Sequence, residues 1–599
     1  MYKNMASKEN KILRINVNYF DGVNSSVSDN ISKKEELNHA ENMRSEKIGS
    51  IEKRKGYRRL GNALSSPTHY GMAFFDDSNA TSSGFFRVAK VGATTSVYYL
   101  NTSSIWTILD DEGTSLTASS AFFTKAEKNL FFVNGTDANR YIQSDGTTVV
   151  TSAIETGHLY HSPIANKIAY YKDRLYVGDY KVGTTKYPTS VMMSSKPLGI
   201  LSLVDGDHAS GVTTVNVTDT KYIHASDTLN VYRGGVSITT LTVTAKTQDS
   251  ITVNATGAAL NSADELWVNS SYAGSRIFRW ADNPETGIDA KQYDTFKLTG
   301  AGDESLTLFD TIGDFLLIGN KYNIGVWNDY NLKMFDLGIG CCSERGYVKA
   351  LGLEFFLDYN GLYASNGGEP KLMSAKVDDY FKGATKAGKE AGALGKKGRS
   401  VFCSIGDVTL YKTDGSVKKT LSDVVLELNL KQNNWYVHTG IKAAQFETYI
   451  GDLDVDRLEF GDSDTGKINE FLFNTYYDDA VTTDVEIPIN IETGNITLSK
   501  QFENFCYPRK IIADIESGSQ VKCFISMDDG AFLPTKGVGN KGAAIFDVTP
   551  ISEDHGMPRC RKINISLRET SGRRIKLSKL AIEYTESTED DADSDTNDT

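Results

Sequence analysis

Three stretches of this chain carry residue types that could do chemistry. The first, Gly461-Asp-Ser-Asp-Thr-Gly466-Lys467, approaches the glycine-rich loop that cradles phosphates on backbone N–H groups. Ile468 stands where a hydroxyl would be needed for Mg²⁺, and the following INEFLF reads as a strand with no helix N-terminus to receive a phosphate. The spacing predicts a turn between two strands. The second, Asp452, Asp454 and Asp456, matches the opening of a calcium loop, but Arg457 takes the place of the turn-making glycine and no bidentate Glu follows in register. The third, His158 and His161, lacks the i, i+4 spacing and intervening Glu of a zinc-binding helix.

Other constellations are equally unproductive. There is no G-x-S-x-G elbow. Adjacent acids such as Asp110 and Asp111 are too common among 77 acidic residues to be assigned as an acid and a base. Cys341, Cys342, Cys403, Cys506, Cys523 and Cys560 have no metal-like spacing and are expected to be six reduced structural thiols. The expectation is a protein that is not an enzyme, with no catalytic residues, no metal and no cofactor.

Two basic clusters remain. Arg44, Lys53, Arg54, Lys55, Arg58 and Arg59 are expected to form a contact with another subunit or a neighbouring ring. Lys382, Lys386, Lys389, Lys396, Lys397 and Arg399 read as an exposed, mobile basic loop. A formal net charge of −13 argues against a conventional nucleic-acid binder, whose footprint is basic, yet allows a surface along which DNA slides.

The elements that would hold these residues are overwhelmingly strands. From about 66 to 475 one unit recurs, an apolar strand, a Gly/Asp/Asn turn and another strand, as in DRLYVGDYK from Asp173, DFLLIGNKYNIGVW from Asp314 and LEFFLDYNGLYASN from Leu353. The return of about 40–50 residues suits four-stranded propeller blades. The fold class expected is all-β: a β-propeller of six or seven degenerate blades, with an inserted small β-barrel or Ig-like module and a C-terminal β-sandwich. The boundaries are a strand–helix–strand adaptor at 1–65, propeller at 66–200 and 272–478, the insert at 201–271, the sandwich at 479–585 and a disordered acidic tail at 586–599. Within the adaptor, Ser32 and Glu35 form a capping-box pattern, and Leu37, Ala40 and Met43 predict one face of a short helix. No run approaches the roughly 20 apolar residues of a membrane span, and MYKNMASKENK lacks the apolar core of a secretory signal.

Phe20-Asp21-Gly22-Val23-Asn24, Asn42-Met43-Arg44 and the run Gly49 to Tyr57 resemble the N-terminal signature of tail-nozzle proteins of short-tailed phages, also called tail tubular protein B or packaged-DNA stabilisation proteins. The units at 173–178, 355–363 and 460–468 look like blade motifs of that family. The resemblance implies a virion protein of the phage tail, assembled in the host bacterial cytoplasm as a hexameric ring. It implies docking on the adaptor and portal assembly, tail fibres as a further partner, and transient non-specific contact with the genome that the ring retains and conducts during ejection. It implies no catalytic residues. Two rival readings are a glycan-binding or glycan-degrading β-propeller, which requires a funnel of carboxylates, Arg and aromatics, and a β-helical tailspike, against which the 40–50-residue rhythm argues.

Overall fold

The computed structural model describes residues 12–586 apart from 18–19, 21, 26–35, 48, 76–83, 102, 110–115, 118, 127–128, 144–158, 161, 197–199, 269–277, 281–294, 299–303, 336–337, 413, 451–455, 473–474, 480–483, 499–504, 538 and 549–558. The acidic tail beyond Glu586, both histidines of GHLYHSP, Ser32, Glu35, Asp110, Asp111, Asp452 and Asp454 therefore lie outside the described residues.

The described chain is all-β and propeller-like. Seven small antiparallel runs follow one another, opening on Thr68–Phe75, Phe122–Ala126, Ile164–Tyr171, Leu308–Ile312, Tyr347–Ala350, Leu394–Lys397 and Ala443–Ile450. The first, fourth and fifth have four strands taken consecutively, the second has three, and the third takes its fourth strand, Thr295–Lys297, from beyond the insert. The seventh is completed by Tyr57–Arg59, which pairs with Ile468–Phe471, so a strand from near the N-terminus closes the last sheet.

Apolar clusters run around the circle of sheets. Phe75 and Phe86 of the first sheet pack with Phe132 of the second, Phe131 of the second with Leu175 of the third, and Tyr176 of the third with Leu316 of the fourth. Leu317 meets Phe356 of the fifth sheet, Phe355 and Leu357 share a core with Val401 of the sixth, and Phe402 packs with Phe460 and Phe471 of the seventh. Ile468 of the seventh joins Met72, Phe85 and Trp106 of the first. A middle strand is thus covered on both faces, which is why Asn129–Val133 is buried along its whole length and its sequence, NLFFV, does not alternate. Tight hairpins join the strands; Lys172 and Asp173, at φ 46° and 61°, have the two left-handed residues of a type I′ turn.

Residues 200–268 form a separate six-stranded sheet whose strands pair only with one another and whose core is Leu229, Val231, Leu241, Val243, Ile251 and their neighbours. At its base the buried pair Arg279–Asp227 and a hydrogen bond between His224 Nε2 and Trp280 O, at 2.7 Å, join it to the returning chain.

The adaptor expected at the N-terminus takes a different form. Leu37–Glu41 and Met43–Lys47 are strands, not a helix. Leu37–Glu41 runs parallel to Asn434–His438 on one side and antiparallel to Ile489–Thr493 on the other, and all five of its residues are buried. A strand covered on both faces shows no two-residue alternation, and the three-residue spacing of Leu37, Ala40 and Met43 imitates a helical face. Ile12–Val17 and Ser50–Lys53 both pair with Ile575–Glu586. The segment is therefore woven through the chain's own far end. The strand Leu37–Glu41 also joins the sixth run to the C-terminal strands in one hydrogen-bonded sheet.

Candidate functional site

The opening strands of the seven runs converge on one axial cavity of about 390 Å³. Every one of the seven supplies lining residues, among them Phe74, Phe122, Lys167, Asp310, Leu394 and Glu447 with the Glu344–Lys349 stretch. Their charges make the cavity chemically distinct from the apolar interfaces around it.

Lys167 replaces an apolar residue in the strand IANKIAYY and is buried. Its Nζ lies 3.4 Å from the Phe122 ring centroid and forms a long ion pair with Glu344 Oε2 at 3.5 Å. Burial holds its pKa down to about 8, with Glu344 opposing the shift. The Arg345 guanidinium also lies over Phe122, with Cζ 3.9 Å from the centroid, and donates from Nη2 to Tyr70 O at 3.1 Å and to Ala121 O. These bonds tie the chain entering the fifth sheet to the opening strand of the first and to the residue that leads into the second. Asp310 is paired with Lys349 at 2.6 Å, and Lys349 also donates to Thr311 Oγ1 at 2.9 Å. Glu447 accepts from Phe74 N–H at 3.3 Å; burial pushes its carboxyl up to about 7, against that hydrogen bond and Arg345. Behind the wall, Glu354 is fully buried and both its oxygens lack a hydrogen-bond partner; burial raises its pKa well above the carboxylate range, with Asp310 adding to the shift.

Gln445 locks the seventh sheet to the first: its Nε2 donates to Met72 O at 2.8 Å and its Oε1 accepts from Met72 N–H at 3.0 Å. The Gly461–Lys467 stretch joins two strands of the seventh sheet, with Asp462 Oδ1 accepting from Asp464 N–H at 2.9 Å and Thr465 N–H at 2.7 Å. Gly466 O accepts from buried Arg87 Nη2 at 2.6 Å, so this turn also anchors the closure. Asp456 Oδ2 accepts from Gly398 N–H at 3.0 Å, and no group of His, Cys, Asp and Glu placed to hold a metal occurs among the described residues.

Each of the two basic clusters is divided between buried and exposed residues. Arg54 is wholly buried and bidentate on Asp478, at 2.8 and 2.6 Å. Lys53 is buried against Glu569 at 3.3 Å and donates to Ser571 O. Arg44 pairs at 3.0 Å with buried Glu427, which stays down at about 2 although burial opposes this, because Arg44, His438 and Ser400 surround it. A cation taken out of water needs acceptors to offset its lost hydration, and all three of these find a carboxylate within the chain. Arg58 and Arg59 are exposed on the closing strand, Arg58 Nε lying 3.0 Å from Glu470, and Lys55 is half-buried beside them. The second cluster is no mobile loop. It forms the helices Asp378–Gly383 and Lys386–Glu390, the latter capped by Thr385, and then the strand Leu394–Lys397. Lys382, Lys386 and Arg399 are exposed and Lys396 is half-buried. Lys389 is buried, its Nζ donating to Tyr359 O at 2.7 Å and Phe381 O at 3.0 Å, and Lys397 donates to Phe471 O at 3.0 Å. The long stems of these lysines carry their charge to carbonyls that a composition-based reading cannot foresee.

Sequence reasoning did not single out Lys167, Arg345 or Glu447. For Lys167 and Glu447 the signal was a charged residue inside a largely apolar strand, as in IANKIAYY; Arg345, beside Glu344 and ahead of its strand, carried none.

No family model matches this chain, and no curated protein matches it. Among solved structures, the exo-beta-1,3-galactanase of Phanerochaete chrysosporium with galactose is 10% identical, over 88% of this chain and 100% of its own, at a TM-score of 0.20. Prolyl oligopeptidase B from Galerina marginata is 8% identical, over 68% of this chain and 56% of its own, at a TM-score of 0.23. At such scores neither likeness bears on fold or function. The propeller-like description stands on the sheets, the closing strand and the axial cavity. No helix among the described residues is long and apolar enough to cross a membrane.

Proposed function

We propose that this chain is a structural protein of a short-tailed phage tail, of the nozzle type, forming a hexameric ring that docks on the adaptor and portal assembly, retains the packaged genome and conducts it during ejection. The observation that carries this reading is the N-terminal signature together with where its residues sit. Gly22, at φ 80°, lies so close to the Trp435 backbone that a Cβ would be 2.8 Å from its carbonyl oxygen, and Val23 N–H donates to that oxygen at 2.8 Å. Asn42 accepts from Arg54 Nε and Thr439 N–H, each at 2.9 Å, and donates to Pro488 O at 2.8 Å. At Gly56 any side chain would collide with Tyr477 O, 1.9 Å from the Cβ position. The motif thus fastens the propeller-like sheets to the C-terminal strands, a demand that accounts for its residue types.

In this reading the seven runs are seven blades, 201–271 is an attachment module facing outward, and the ring lumen is neutral to acidic so that DNA is not held by phosphate contacts. Imaging of the purified protein and of virions tests it. A six-fold ring on the tail axis is expected, and a protein that stays monomeric and is absent from particles overturns it. Arg58→Glu with Arg59→Glu should leave the monomer folded and impair ring formation, since both residues are exposed on the closing strand; normal rings would remove that strand from the subunit interface. A second reading, a glycan-active propeller, is favoured by the carboxylates, Arg345 and Phe122 in one axial cavity. Release of reducing ends from a polysaccharide, abolished by Glu447→Gln, would support it.

A further inference from the structure

We propose that the axial cavity is a binding site for a small anion, a carboxylate- or phosphate-bearing molecule of about monosaccharide size, with Lys167 as its principal ligand. This inference is independent of the nozzle reading, since it concerns the inside of a single propeller and not the ring.

Five cations and three carboxyls line the cavity, in a chain whose net charge is −13. The carboxyls are largely committed: Asp310 to Lys349, Glu447 to a backbone N–H, and Glu344 to Lys167 in a longer, half-exposed ion pair. Of the cations, Arg345 already donates to two carbonyls and Lys349 to Asp310 and Thr311. Lys167 differs. Its ammonium is buried, stands over an aromatic face and meets a single carboxylate, Glu344, in a long ion pair at 3.5 Å that leaves most of its donors unmet. Buried polar groups are almost always hydrogen-bonded, and an ammonium has three donors to satisfy. Glu344 pairs with it at 3.5 Å, but this carboxylate is half exposed and shared with solvent. An anion entering the cavity would supply acceptors that Glu344 alone leaves unmet and add a charge-assisted bond in a site of low dielectric. A volume of about 390 Å³ falls at the small end of ligand cavities and is too small for a nucleic-acid duplex or a protein segment of any length.

The full-length protein would be titrated calorimetrically with glucuronate, with inorganic phosphate and with glucose as a neutral control, alongside Lys167→Met and Lys167→Arg. Saturable one-to-one binding of at least one anion is expected, with no binding of glucose, and the tighter of the two anions assigns the headgroup. Loss of a charge-assisted bond should weaken binding at least about tenfold in Lys167→Met, while Lys167→Arg stays within a few-fold of the natural chain. A second measurement does not depend on any variant folding. Acetylation of Lys167, followed by mass spectrometry, should slow severalfold when the cavity is saturated with the anion. Failure of both anions to bind, equal binding of glucose, unchanged affinity in Lys167→Met, or no protection of Lys167 would each overturn the proposal.

Discussion

Arg54 has no solvent contact, and its guanidinium is held by Asp478, Asn42 and Thr439. A buried ion pair of this kind adds little over an apolar pair of the same shape, but breaking it leaves a stranded charge. Arg54→Ala is therefore expected to cost about 3–5 kcal/mol in denaturant unfolding, whereas Arg54→Met with Asp478→Leu should cost much less. Similar losses for the two would show that the pair itself stabilises the seam. Glu447 gives a second test at this scale. Its folded-state pKa, about 7, lies above its ordinary 4.5, so the folded protein binds more protons between those values. Its contribution to stability is present in full below about pH 4.5 and is lost as pH rises to about 7. Glu447→Gln should flatten that part of the stability–pH curve and stabilise the protein at pH 7 and above. An unchanged curve would mean that the carboxyl is solvated.

Among the elements, the six strands of 200–268 come nearest to independence, since they hydrogen-bond only to each other and enclose their own core. Replacing 201–271 by a short Gly/Ser linker changes loop-closure entropy by about 1 kcal/mol or less. The structure adds a cost that the alternating pattern does not reveal. Asp227 lies within the module, while its partner Arg279 belongs to the strand that returns to the propeller-like body. Deletion alone is expected to destabilise the remainder by about 3–5 kcal/mol, and deletion combined with Arg279→Met to recover most of that loss. Thermal unfolding of both deletions beside the intact chain is the measurement. Aggregation of both would make the module part of the propeller's core.

At the scale of the molecule, closure depends on three residues near one end of the chain. Tyr57–Arg59 pairs with Ile468–Phe471, and Tyr57 packs edge-on against Phe460 with centroids 5.1 Å apart. Removing residues 1–59 would expose Ile468–Phe471 as a bare edge strand and would also remove strands from the C-terminal sheet. The truncated protein is expected to lose its cooperative melting transition and to aggregate. A transition as sharp as that of the whole chain, within a few degrees, would show that the circle closes without this strand.

The sequence by itself determined the all-β character, the recurring strand–turn–strand unit and the separate period of residues 201–271, because these are local. An apolar run such as NLFFV states that both its faces are covered, and strict alternation states that one face is. The turn at Gly461–Lys467 was legible for the same reason. Only the tertiary structure decided that Leu37–Glu41 is a strand, that Lys53, Arg54 and Lys389 are buried, and that Lys167, Arg345 and Glu447 meet in one cavity. Arg54 and Asp478 are 424 residues apart, and Lys53 and Glu569 are 516 apart. A charged side chain has the same local pattern whether it faces water or a carboxylate from the other end of the chain. Its fate is set by which strands pair, and that choice is made by the closing of the whole circle.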